Sequence, residues 1–316
     1  MAAPHKTKQY LLALAKVLVL VITFGYIFYR LQNNPHLDFF EFVNRIKVTD
    51  GFASYFLFIF LFLASLNWVL ETLKWRKLAS TLYKIDFKTA LKQSLASLTV
   101  SLATPNRIGE YGAKAMFFQK SDRKRILLLN FFSNTAQLAA TVLFGLFGVS
   151  YFLFNYDVYY SIQALTFIII GLLIVGVFVY YFRDKELFLK GFSIVNIFSF
   201  FKKLPNSLKI NVLALSISRY LIFSFMFFGL LLFFGAETSY LTVMALIFAM
   251  YFLVSIVPTI FIFDIVVRGG VAVWLFSYVG VSDLIVLSTV LAMWIFNFVL
   301  PSILGAFFVL TYKPNS

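Results

Sequence analysis

No cysteine occurs anywhere in this chain, which excludes disulfides, thiolate nucleophiles and thiolate metal sites. Histidine is almost as scarce: His5 and His36 both lie outside the long apolar runs. There is no His-Glu-x-x-His pattern, no cluster of metal-binding acids and no glycine-rich phosphate loop, so the sequence predicts no cofactor and no metal. Charged residues make up only 13% of the 316, against roughly one-quarter in soluble domains. No polar stretch is long enough to build a second core, and a single domain over 1–316 is expected.

What is abundant is apolar surface. Hydrophobic residues make up 61% of the chain and 42 positions are Phe, the composition of a polytopic membrane protein. Six runs can each cross a hydrocarbon core of roughly 30 Å at about 1.5 Å per helical residue: 10–29, 52–70, 126–151, 161–182, 212–234 and 284–310. The first follows Lys6 and Lys8 but lacks a small-x-small cleavage site, so it reads as a retained span. The Phe and Tyr content reads mainly as lipid-facing bulk and interfacial anchoring. The net charge of +14 does not imply nucleic acid, because the basic residues fall in short loops between apolar runs.

Two regions differ from the six spans. Residues 90–103 are too short to cross, end at Thr104-Pro105, and precede a charged stretch and a second apolar piece at 115–118. Residues 240–257 end at Pro258, pass Asp264 and Arg268-Gly269-Gly270, and continue through 271–281. Each reads as a broken hairpin.

Basic residues concentrate on the cytoplasmic side of membrane proteins. Residues 71–88 hold five, 106–125 six and 183–209 six, whereas 151–160, 235–239 and 280–283 hold none. This pattern places both termini in the cytoplasm, the first hairpin opening to the cytoplasm and the second to the outside. Repeat 1 (about 51–151) and repeat 2 (about 210–312) then run in opposite orientation. Val100-Ser101-Leu102 resembles Val254-Ser255-Ile256, and residues 112–118 resemble 270–276, with four extra residues in the second copy. The expected fold is an all-α polytopic membrane protein, with six transmembrane helices plus two broken or re-entrant helical hairpins arranged as an inverted repeat. Residues 185–203, with Glu186, Lys190, Ser193 and Asn196 on one stripe, read as a helix on the cytoplasmic surface.

Helices that break near the midplane give a transporter a polar site, because their ends supply unpaired backbone groups and a dipole. Thr104 can cap and Pro105 can start the second half-helix, with Asn106 and Gly109 in the same turn; its positive end faces an anion. Arg107, Glu110 and Lys114 share one helical face, with Arg107 deepest. In the second hairpin Asp264 and Arg268 are four apart, between the breaks at Pro258 and Gly269-Gly270. These five charges are the candidate substrate-binding residues, and the two guanidiniums suit a phosphate. The alternative is that they only neutralise one another at structural turns. Asn130, Asn134, Gln137 and Asn297 read as interhelical hydrogen-bonding groups or as cavity lining, and Arg219 as snorkelling outward or facing the cavity.

Pro105-Asn106-Arg107-Ile108-Gly109-Glu110 resembles the Pro-x-Arg-x-Gly-Glu motif of the lysylphosphatidylglycerol synthase transmembrane-region, or flippase-like, family. Asp264 with Arg268-Gly269 resembles its second motif, although Phe261-Ile262-Phe263 departs from the common Gly-Gly-x-Gly form. The resemblance covers nearly the whole chain. It implies a stand-alone membrane half of enzymes that make an aminoacylated lipid and move it across the bilayer, without the aminoacyl-transferring domain. Expected partners are membrane lipids, anionic or aminoacylated phospholipids or a lipid-linked head group, with a separate lipid-synthesising enzyme. The expected location is the bacterial inner membrane.

The leading functional expectation is transbilayer movement of such a lipid. An intramembrane lipid-modifying enzyme, with Asp264 or Glu110 as base, is one alternative; a non-transporting scaffold or small-solute carrier is another. No energising ATPase motif is present, so uphill movement would need an ion gradient, lipid consumption or a partner.

Overall fold

A computed structural model describes residues 53–102, 104, 108–157, 192–257 and 264–312, with scattered positions within 166–186. All regular structure among the described residues is helical. The span at 10–29, Pro105, Asn106, Arg107 and Pro258 lie outside the described residues, as does most of 161–182.

The first described helix, α1 (Ala53–Ala79), does not stop at its first charge. The expected span ended at residue 70 and assigned 71–88 to a loop. Instead the helix carries Glu71 and Lys74 inward before Arg76 and Lys77 close its last turn. Lys74 therefore does not belong among the loop's basic residues.

Asp86 caps α2 (Phe87–Leu102) by accepting from Thr89 N at 3.0 Å. The hydrogen bonds from Thr89 hold this carboxyl below the ordinary aspartate range. Helix α3 (Ile108–Met116) carries Glu110 and Lys114, as expected of the second half-helix, and ends before Phe117, inside the apolar piece 115–118. Next come α4 (Arg123–Asn155) and α5 (Ile194–Lys203). The surface helix expected over 185–203 is thus only ten residues long where described. Ser193 is not on its polar stripe but is its cap, accepting from Asn196 N at 3.2 Å.

Helix α6 (Asn206–Phe233) ends at Gly235, and α8 (Asp264–Ser277), which follows α7 (Tyr240–Ile256), is closed by Gly280. Both glycines have positive φ, 92° and 71°. Ala236 N donates to Leu231 O at 2.9 Å and Val281 N to Phe276 O at 3.3 Å, the long-range bonds that close such helix ends. Helix α8 begins at Asp264 rather than near the expected 271, so Gly269 and Gly270 are inside it and not at a break. The last span is α9 (Asp283–Trp294), a π-helical turn (Ile295–Val299) and α10 (Leu300–Leu310).

Four helices among the described residues are long and apolar enough to cross a membrane: Tyr55–Ala79, Arg123–Asn155, Asn206–Phe233 and Asp283–Leu310. Helices α1 and α6 pack together. One helix of each hairpin packs against a distant span, α2 on α10 and α7 on α4. Glycines permit both approaches. A Cβ on Gly305 would stand 2.2 Å from Leu95 O, and one on Gly148 would stand 2.4 Å from Ala245 O and 2.5 Å from Ala249 N.

Two apolar clusters flank these crossings. The larger joins Phe60, Tyr220, Phe227, Phe248, Phe276 and Trp294 with their aliphatic neighbours, so many aromatics fill the interior rather than face lipid. The smaller, around Trp75, Leu78, Phe118, Ile126, Leu129 and Val212, lies on the first hairpin.

Candidate functional site

Lys114 sits on a helix of only nine residues, yet its side chain is 1% exposed. Its Nζ donates to Glu110 Oε1 and to Asn130 Oδ1, both at 2.8 Å, and lies 3.8 Å from Glu71 Oε1. It also stands 4.6 Å from the centre of the Trp75 ring, which contributes a cation–π attraction. The expected shared face of Glu110 and Lys114 is present.

Glu71 is the hub. Its Oε2 is 2.8 Å from Lys74 Nζ and 2.8 Å from Arg219 Nη1, so one carboxylate faces cations from α1, α3 and α6. Arg219 faces inward, its Nε donating to Asn67 Oδ1 at 2.9 Å. Asn67 Nδ2 donates onward to Asn297 Oδ1 at 2.8 Å, and Trp68 Nε1 donates to Asn297 O at 3.1 Å, a carbonyl in the π-helical turn. A continuous polar chain therefore runs from Glu110 in the first hairpin to Asn297 in the last span.

Burial makes this chain energetically demanding. Lys74 and Lys114 are each 1% exposed and the Glu71 side chain 7%. A charge at the centre of a membrane helix costs about 3 kcal/mol on insertion scales unless it is paired or hydrogen-bonded. Among the described residues three cations and two carboxylates meet here, so pairing leaves one positive charge over. Lys74 Nζ is satisfied by Glu71 Oε2 at 2.8 Å, whereas Asn130 Nδ2 has no acceptor among the described residues.

Thr104 and Gly109 join α2 to α3. Thr104 Oγ1 donates to Ser101 O at 3.0 Å and accepts from Gly109 N at 2.8 Å, tying the end of α2 to the start of α3. A Cβ on Gly109 would stand 2.7 Å from Thr104 Oγ1 and 2.8 Å from Val100 O, so only glycine fits without displacement. The expected cap is thus made by Thr104, reaching five residues ahead.

The remaining polar candidates bond between segments. Asn134 Nδ2 donates to Tyr111 Oη at 2.9 Å and Gln137 Nε2 to Ser216 O at 3.3 Å. Arg268 is elsewhere: with Phe227, Tyr251, Val290, Met293, Trp294 and Phe298 it lines a cavity about the size of one water molecule. Met293 touches both regions, since its carbonyl also accepts from Asn297 Nδ2 at 3.1 Å.

Sequence reasoning missed Asn67, Glu71 and Lys74. Their signal was present in the spacing: they fall at i, i+4 and i+7, one face of a helix continuing past the apolar run.

No protein of established function matched the chain significantly. Residues 11–305 match the sequence profile of the family described as the lysylphosphatidylglycerol synthase TM region, and this membrane protein belongs to that family.

Proposed function

We propose that the protein moves a phospholipid, or another lipid with a phosphate head group, between leaflets. The carrying observation is the buried cluster around Lys114, in which cations from three helices outnumber the carboxylates. A lipid phosphate brought to this cluster would share its cations, and its negative charge would balance the surplus. Arg107, directly before α3 in sequence, is assigned to the same head group, and Asp264 and Arg268 to its exit path. In this reading both termini are cytoplasmic, the membrane is the bacterial inner membrane, and a separate enzyme supplies the lipid.

Movement is assigned to rocking of two oppositely oriented repeats, about 51–151 and 210–312. The reciprocal packing of α2 on α10 and α7 on α4 supports such a repeat. Gly148 and Gly305 mark equivalent crossings, and Ala249 and Leu95, which they approach, are 154 residues apart, the same offset as Val254 and Val100. The test is reconstitution in liposomes bearing fluorescent-acyl lipids of several head groups, with outer-leaflet label quenched chemically. Protein-dependent loss of protection for at least one phospholipid supports the reading, and traces identical to protein-free liposomes for every head group refute it.

A further inference from the structure

Resting on the lipid-transport reading, we infer that the π-helical turn Ile295–Val299 is the hinge of that movement, and that Asn67 and Trp68 of α1 latch it. The last span is one helical run in sequence but two pieces in packing. Before the turn, α9 packs on α8 and α6; after it, α10 packs on α2. Thr99 Oγ1 donates to Ser302 O at 3.0 Å and Gly305 lies directly against Leu95 O, which joins α10 and α2 into one piece. On the other side, Leu287 of α9 lies against Gly269 of α8, and Met293 and Trp294 share a cavity with Arg268. A bend at 295–299 therefore turns the first hairpin against the second. The span α4, by contrast, runs for 33 residues without such a turn.

The backbone of the turn is built to bend. Pro301 has no N–H to give to Asn297 O, the carbonyl four residues before it, and Leu300 N donates five residues back, to Ile295 O. Bonds that would hold a straight helix are already exchanged here, so bending breaks fewer of them. Replacements come from α1: Trp68 Nε1 donates to Asn297 O at 3.1 Å and Asn67 Nδ2 to Asn297 Oδ1 at 2.8 Å. Asn297 Nδ2 donates in turn to Met293 O at 3.1 Å, so one buried side chain clips the end of α9 to α1. Arg219 meets both latch residues. Its Nε donates to Asn67 Oδ1 at 2.9 Å, and its guanidinium stands 5.8 Å from the centre of the Trp68 ring. A head group that draws Arg219 away would loosen the latch, which ties release of the hinge to occupation of the site.

The chain has no cysteine, so introduced cysteines carry spin labels at chosen positions alone. In full-length protein in liposomes, Lys88→Cys with Ser277→Cys reports across the turn, and Lys88→Cys with Leu304→Cys reports within the α2–α10 piece; all three positions are exposed. The wild-type background should show two distances across the turn and one within the piece. Pro301→Ala, which restores the missing N–H, should leave one distance across the turn and slow lipid movement at least about tenfold. Trp68→Phe, which keeps a ring and removes only the donor, should raise the minor population across the turn by about threefold or more. A single distance across the turn in the wild type, unchanged populations in folded Trp68→Phe protein, or a Pro301→Ala protein that moves lipid at the wild-type rate overturns the hinge and leaves lipid transport standing. Two distances that respond to both substitutions, in a wild-type protein that moves no lipid, uphold the hinge and defeat the transport reading instead.

Discussion

In the first hairpin Lys114 reaches Glu110 on its own helix, Glu71 on α1 and Asn130 on α4, whereas in the second Arg268 lines a water-sized cavity among Phe227, Met293 and Trp294. Both hairpins nevertheless enter the scaffold alike, one helix of each, α2 or α7, crossing a distant span at a glycine. Common packing with unlike chemistry shows that packing and ligand recognition are carried by different residues. Close approach needs only small side chains, while the polar site needs charges that face one another from several helices.

That contrast can be broken by mutation. Glu71→Ala would leave Lys74, Lys114 and Arg219 without their common carboxylate and should cost about 3–5 kcal/mol in thermal unfolding. Arg268→Met, placing an apolar chain beside apolar walls, should cost less; equal losses would erase the chemical difference between the hairpins. Lys114→Met comes next, at about 2–3 kcal/mol, because Glu110 is 20% exposed and can partly rehydrate.

Substitutions at the crossings sharpen the shared half of the comparison. Gly305→Ala and Gly148→Ala each place a methyl within 2.5 Å of backbone on the facing helix, and each should cost about 1–3 kcal/mol in the same unfolding assay. A neutral result at one crossing and not the other would remove the likeness between the hairpins. The smallest effect belongs to Gly270→Ala. Nothing lies within 4 Å of the added methyl inside α8, so unfolding should show a gain of about 0.5–1 kcal/mol from helix propensity alone.

Much of the scaffold was legible in the sequence because apolar runs of span length report themselves directly, as 126–151 did within α4 and 212–234 did along α6 to its cap. The end of α1 was not, since a first charge after an apolar run looks like a membrane boundary unless its partners are known. Glu71 continues the helix because Lys74, Lys114 and Arg219 are waiting for it, and two of those lie on other segments. Glu110 and Lys114 were readable because their pairing is local, at i and i+4. Asn130 as the acceptor for Lys114, and Asn297 as the far end of the chain through Asn67, depended on tertiary packing. The bond from Gly109 N to Thr104 Oγ1 was hidden for a related reason: it spans five residues, beyond the spacing of an ordinary cap.

The central claim is that the charges around Lys114 hold the head group while the lipid crosses, and transport by Lys114→Met tests it most directly. Wild-type and variant proteins, matched for folded amount, would be placed in liposomes containing fluorescent-acyl phosphatidylglycerol and followed by chemical quenching. The account predicts protein-dependent movement for the wild type and a rate at least about tenfold lower for the variant. A folded Lys114→Met protein that moves the lipid as fast as the wild type would contradict it.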